Sequence, residues 1–186
     1  MRVIAGTLGG RAIGMKDSLP IRPTSDKARG AVFSSLAPRI AGAKFLDIFA
    51  GTGAMGIEAI SRGAHRVTAV ELSPQVARLI KENLLSLGIT SDEFEVKVGS
   101  FQAVLPILAA ETYDLIFADP PYGQGYPAEV LRLIAHHDLL KTEGLLVIEH
   151  FSKESVPQRQ GKLRLFKIKT YGQTQMSFFM AERECT

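Results

Sequence analysis

A chain of 186 residues, 46% apolar and 22% charged, has ordinary globular composition and enough length for one α/β core with at most a short appendage. No stretch approaches the apolar length of a membrane span, and the opening residues, with Arg2, Gly9, Gly10 and Arg11, lack the apolar core of a signal peptide, so a cytoplasmic protein is expected. The net charge of +3 is unevenly spread: residues 1–43 carry seven Lys or Arg against Asp17 and Asp26, a net +5, while the other 143 carry fifteen against seventeen acids, a net −2. This asymmetry predicts a polyanion-facing extension, residues 1–43, attached to a ligand-binding domain, residues 44–186. The lone Cys185 has no disulfide partner and belongs to no metal-ligand cluster in the sequence.

Residues 2–5 and 11–15 read as two short strands joined across Gly9-Gly10, a small hairpin outside any main sheet. Thr24, Ser25 and Asp26 offer N-cap chemistry for a helix running to about Ala37, where Pro38 is expected to end it. Ala28, Val32, Phe33 and Leu36 share one face of that helix. Lys27 and Arg29 fall away from this stripe, and with Arg22 just upstream they predict a cluster of three cations near the helix start.

The stretch Lys44-Phe45-Leu46-Asp47-Ile48-Phe49-Ala50-Gly51-Thr52-Gly53-Ala54-Met55-Gly56 organises the rest of the chain. An apolar strand carrying an acid enters a glycine-rich turn that opens a helix, the arrangement that holds nucleotide-type cofactors in a doubly wound sheet. Gly51, Gly53 and Gly56, with Glu71 twenty residues past Gly51, spell the dinucleotide fingerprint. The glycines serve either a dinucleotide or another nucleoside cofactor, because both need positive φ and close backbone approach. Asp47 discriminates: a carboxylate there repels a pyrophosphate seated at a helix N-terminus. It welcomes a cationic amino group, such as that of S-adenosyl-L-methionine.

Downstream, residues 65–70 form a buried strand ending on Glu71, where an acid can accept both hydroxyls of a ribose. Ser73-Pro74 opens a helix whose apolar positions Val76, Leu79, Ile80, Leu84 and Leu87 keep the helical period up to Gly88. Residues 93–98 alternate as a third strand, Ser100 and Phe101 follow it, and residues 101–110 read as a helix despite Pro106. Phe101 can pack on an adenine or simply fill core. The fourth strand, residues 113–118, runs into Asp119-Pro120-Pro121-Tyr122. Two consecutive prolines stiffen the chain and leave its carbonyls without neighbouring N–H partners, so Asp119 and a proline carbonyl form a rigid acceptor site for an exocyclic amine. Tyr122 adds a flat face for a base. Residues 127–136 read as a helix, 144–150 as a fifth central strand, and 162–170 with 174–181 as an antiparallel hairpin. His136-His137 falls at a helix end, in the pattern of a solvated last turn rather than a metal site.

The glycine loop and the Asp-Pro-Pro-Tyr turn together resemble the class I S-adenosylmethionine-dependent methyltransferases that act on exocyclic amines, over residues 44–182. The opening, Arg2-Val3-Ile4-Ala5-Gly6, Gly10-Arg11 and Arg22-Pro23-Thr24-Ser25-Asp26-Lys27-Ala28-Arg29, resembles that of the bacterial family that methylates guanine N2 in small-subunit ribosomal RNA. The resemblance implies a Rossmann-like α/β fold with a seven-stranded, mostly parallel sheet closed by a C-terminal antiparallel hairpin. It implies a catalytic set of Asp119, Pro120, Pro121 and Tyr122, and a cofactor set of Asp47, Phe49, Gly51, Gly53, Glu71, Leu72, Ser100 and Phe101. Arg11, Arg22, Lys27 and Arg29 become the RNA-binding set. The cofactor is S-adenosyl-L-methionine, no metal is required, and the partner is ribosomal RNA in the small subunit or an assembly intermediate, met by a monomer. Two positions depart from the family pattern: Gly30 replaces an expected glutamate beside Arg29, and Ser100 replaces an aspartate that serves the adenine amine. The alternatives are an N6-adenine or N4-cytosine methyltransferase on RNA or DNA, a nicotinamide-dinucleotide oxidoreductase, and a non-catalytic RNA-binding protein.

Overall fold

The computed structural model describes residues 1–16, 19 and 26–183. Arg22, the cap candidates Thr24 and Ser25, the side chain of Lys27 and Cys185 lie outside the described residues. The elements are α1 (Asp26–Ile40), β1 (Lys44–Ile48), α2 (Ala54–Ser61), β2 (Arg66–Glu71), α3 (Pro74–Leu87), β3 (Phe94–Val98), α4 (Phe101–Val104) with a following 3-10 turn (Leu105–Ile107), β4 (Tyr113–Ala118), α5 (Tyr126–His136), β5 (Leu140–Phe151), β6 (Arg159–Gln160), β7 (Leu163–Tyr171) and β8 (Thr174–Ala181).

The strands form one sheet in the order β3-β2-β1-β4-β5-β8-β7-β6. The ladders from β3 through β5 are parallel, and those joining β5, β8, β7 and β6 are antiparallel. The chain winds outward from β1 to β3 and then returns to β4, so the order reverses between β1 and β4 and opens a crevice at their carboxyl ends. Seven strands were expected and eight are present. The extra one, β6, is a two-residue edge strand, too short to leave an alternating pattern in the sequence.

Side chains alternate across the sheet. Phe45, Val67, Leu115, Phe117, Val147 and Phe178 pack with Val32, Phe33, Leu36, Ile57 and Ile80 on the face covered by α1, α2 and α3. Leu46, Ile48, Ile116, Leu146, Ile148 and Phe179 meet Leu105, Val130, Leu131 and Ile134 on the other, beneath α5 and the 3-10 turn.

Three local expectations change. The N-terminal hairpin has a single antiparallel bridge, Arg2 with Ala12, and not two strands. Val3, Gly10 and Ile13 N–H donate across the hairpin to Arg11, Val3 and Met1 carbonyls, and the outer donors go to helix side chains: Ile4 and Ala5 N–H donate to Glu58 (2.8 and 3.1 Å), and Gly14 N–H donates to Asn83 Oδ1 (2.8 Å). Helix α1 continues past Pro38 to Ile40, because a proline so close to a C-terminus removes only one ladder bond and Ile40 is buried against the core. The helix expected over residues 101–110 is only four residues long before it tightens into the 3-10 turn containing Pro106.

Candidate active site

Four central strands deliver an acid to one rim. Asp47 lies in β1, Glu71 closes β2, Asp119 follows β4 and Glu149 stands near the end of β5. The registers Asp47 with Ala69, Asp47 with Phe117 and Ala118 with Ile148 give all four the same parity, that of the sheet face under α1 to α3. All four line one cavity of about 930 Å³, large enough for a nucleoside-sized ligand with a base beside it.

On the cofactor side the turn is tightly wound: Phe49 takes φ 68°, Gly51 54° and Gly53 79°. A positive φ at a phenylalanine is a strained conformation held by its surroundings. Phe49 is pinned by Phe101 and Tyr126, with ring centroids 5.0 and 6.2 Å away. Gly51 N–H donates to Glu71 Oε2 (2.9 Å) and Ser73 N–H to Glu71 Oε1 (2.8 Å), so this acid ties the glycine loop to the start of α3. Each of its oxygens keeps a second lone pair for a ribose hydroxyl. Gly56 plays a different part from the other two glycines. A Cβ there would stand 2.5 Å from the Phe94 ring, so it lets α2 lie close on the sheet.

Asp47 is 1% exposed and accepts the Gly56 N–H at 3.1 Å. Burial foremost, with Asp119 and Glu71 adding, pushes its carboxyl up to about 8, against the lowering effect of the Gly56 N–H. The folded protein thus holds a proton that the unfolded chain releases near the ordinary value of 3.8. Stability is expected to fall as pH rises from about 4 towards 8 and to level off above it. Urea unfolding across that window should show the fall in the parent and a shallower one in Asp47→Asn. Equal slopes would mean that Asp47 ionises at no cost.

Next to Glu71, Leu72 stays 69% exposed at the cavity rim, an apolar surface open to the cavity. Phe101 is only 5% exposed and packs edge-on against Tyr126 at 5.2 Å, so it serves chiefly as core wall. Ser100 Oγ caps α4 by accepting the Ala103 N–H at 3.3 Å and retains one lone pair towards the cavity.

At the Asp-Pro-Pro-Tyr turn, Asp119 N–H donates to Ile48 O at 3.4 Å, which anchors the turn to β1. The Tyr122 hydroxyl lies 2.9 Å from Thr174 Oγ1 and donates to Glu149 Oε1 at 3.4 Å, while its ring stacks beside Phe151 at 5.9 Å. Gly123 N–H donates to Glu154. The Asp-Pro-Pro-Tyr turn is thus clamped to β1 at one end and to the antiparallel strands at the other.

A family described as conserved hypothetical protein 95 matches residues 1–180. The chain belongs to that family. The Escherichia coli K12 protein named ribosomal RNA small subunit methyltransferase D is 31% identical over 190 residues, 99% of this chain and 91% of its own length. The Haemophilus influenzae protein of the same name is 34% identical over 150 residues, 80% of this chain and 78% of its own length. The solved Escherichia coli structure of yhhF superposes with a TM-score of 0.85 at 30% identity and 99% coverage of both chains.

The opening that resembles the conserved hypothetical protein 95 relatives is used differently from the expectation at two of its cations. Arg29 was expected to face RNA, but it is fully buried against α2. It bonds to Arg2 O and pairs with Asp26 (3.0 Å) and Glu58 (3.8 Å), and its burial lowers its pKa. A guanidinium without solvent access cannot meet a phosphate. Asp26 and Glu58 also replace the acid missing at Gly30. The Arg11 guanidinium donates to Ser86 O (2.8 Å) and Leu87 O (3.3 Å), capping the C-terminus of α3 while the residue stays exposed. Cavity residues not foreseen include Ala28, Tyr126, Glu149, Tyr171, Thr174 and Met176. Glu149 had the same signature as Asp47 and Glu71, an acid closing an apolar strand.

Proposed function

We propose that this protein transfers a methyl group from S-adenosyl-L-methionine to the N2 amine of a guanine in 16S ribosomal RNA, of the guanine-966 type. The observation that carries the proposal is the meeting of Asp119-Pro120-Pro121-Tyr122 with Asp47 and Glu71 in one cavity. The ribosomal RNA methyltransferase relatives support the substrate class.

The donor set fits a cationic cofactor. Asp47 is buried, with Asp119 and Glu71 near enough to raise its carboxyl further, and these acids and Glu149 share one cavity. A pyrophosphate would meet four acids there, which disfavours a nicotinamide dinucleotide. Asp47 and Glu71 would hold the amino and ribose groups, with Leu72 against the base. When bound, S-adenosyl-L-methionine supplies an electrophilic sulfonium methyl: the amine nitrogen lone pair forms the new N–C bond and the S–C pair returns to sulfur.

The chain's own contribution is orientation and charge. A guanine amine is conjugated into its ring and is a poor nucleophile. Asp119 and a proline carbonyl accept its two hydrogens, turn its lone pair towards the methyl and stabilise the positive charge growing on nitrogen. Water then takes the proton. A paired guanine hides this amine, so the target is unpaired or flipped, with Tyr122 beside its plane.

In this proposal residues 1–43 form the RNA-facing extension of a methyltransferase domain at 44–186. Their basic excess, to which the buried Arg29 does not contribute, supports that role, while Val3, Ile13 and Phe33 join them to the domain's core. In this reading the protein acts as a monomer on the small subunit or its assembly intermediate. The test is mass spectrometry of ribosomal RNA nucleosides from cells with and without the protein, repeated with purified components. N2-methylguanosine should appear only when the protein is present. N6-methyladenosine or N4-methylcytidine in its place would transfer the same turn to another base.

A further inference from the structure

We propose that Glu149 is the residue that selects guanine, accepting the N1–H of the base whose N2 amine Asp119 holds. This rests on the guanine-N2 reading above. Ala118 and Ile148 are the last pair in register between β4 and β5, whose backbones run about 4.8 Å apart, so Asp119, the first residue past β4, comes next to Glu149, and both line the cavity. Glu149 is 7% exposed and lines the cavity. Its position is set by the Tyr122 hydroxyl, which donates to Oε1 at 3.4 Å, and by the β5–β8 ladder, where it stands opposite Met176. The Asp-Pro-Pro-Tyr turn and this acid are therefore parts of one construction.

Two carboxylates side by side match one base edge. Guanine presents N1–H next to its amine, two adjacent donors. Adenine and cytosine present an amine next to an unprotonated ring nitrogen, whose lone pair would face the second carboxylate. Asp119 alone suits any exocyclic amine, whereas Asp119 with Glu149 is complementary to guanine and repels the other two. A site built around a hydrogen bond rejects an analogue lacking the donor, because a buried acceptor is then left unmatched.

The test replaces the target guanine with 2-aminopurine, which keeps the amine at C2 but has no hydrogen on N1. Single-turnover transfer at saturating S-adenosyl-L-methionine should be roughly 10- to 100-fold slower on 2-aminopurine than on guanine for the parent protein, the range for one specific base contact. That arm needs no variant, and equal rates would overturn the proposal. In Glu149→Gln the side-chain amide still offers an oxygen to Tyr122 but can donate to the bare N1. Transfer to guanine should fall roughly 10-fold or more, and the preference over 2-aminopurine should shrink to within a few-fold or reverse, with cofactor affinity by calorimetry unchanged within a few-fold. The change in preference also separates N1 from the missing O6 of 2-aminopurine. Equal losses on both bases would mean that Glu149 only supports Tyr122, and would overturn its role in selection. A parent product other than N2-methylguanosine would remove the guanine reading itself, and this proposal with it.

Discussion

Asp119→Ala is expected to slow methyl transfer to RNA by about two to three orders of magnitude, the scale for losing one preorganised electrostatic partner of a developing charge. Alanine leaves both prolines and the clamps on Tyr122 and Gly123 in place, so the rigid turn survives and only the acceptor is lost. Cofactor affinity should stay within a few-fold. Asp119 is one of the charges that raises the Asp47 pKa, so its removal makes Asp47 easier to ionise, which offsets the carboxylate lost from the cavity. Single-turnover kinetics at saturating cofactor, beside calorimetric titration with S-adenosylhomocysteine, separate the two effects. Transfer at the parent rate would falsify the assignment of Asp119 to the amine.

The legible part of the site was the part built from strand ends. Asp47, Glu71 and Asp119 each stand at or near the carboxyl end of an apolar run, the ligand rim of an α/β sheet. Glu149 closes Leu145-Leu146-Val147-Ile148 in the same way, yet no turn motif follows it to draw notice. The parallel order was legible for a related reason: buried strands alternating with helical periods permit few topologies. What the sequence withheld was side-chain direction on α1. The helical stripe of Ala28, Val32, Phe33 and Leu36 left Arg29 looking solvated, because periodicity counts a guanidinium as polar wherever it points. Its burial follows from Glu58, an acid 29 residues away on α2 that no local pattern links to it. The same non-local partners hold the hairpin to the domain: its two arms share backbone bonds, while the Ile4, Ala5 and Gly14 donors go to Glu58 and Asn83.

Glu58→Leu is expected to destabilise the fold by about 3 to 5 kcal/mol, the usual cost of breaking a buried ion pair from one side. Glu58 and Arg29 are both fully buried, and Glu58 also accepts the Ile4 and Ala5 N–H groups and the Arg62 Nε–H at 2.7 Å. Leucine fills the volume but leaves these donors unmatched, and leaves Arg29 only Arg2 O, the Met1 sulfur and the half-exposed Asp26. Against a total stability of roughly 5 to 15 kcal/mol this is a large fraction, and a fall in Tm of about 10 °C should accompany it. Arg29→Met in the Glu58→Leu background should recover part of the loss, because it removes the stranded charge as well. Urea unfolding of the two single variants and the double variant gives the coupling directly. If the single losses simply add, the two charges are not coupled, and the N-terminal segment is held by Val3 and Ile13 packing and by its bonds to Ser61 and Asn83. If they do not, the buried pair anchors α1, whose Ala28 forms part of the cavity wall, and the Glu58→Leu protein should also lose RNA methylation in proportion to the disorder it creates at that wall.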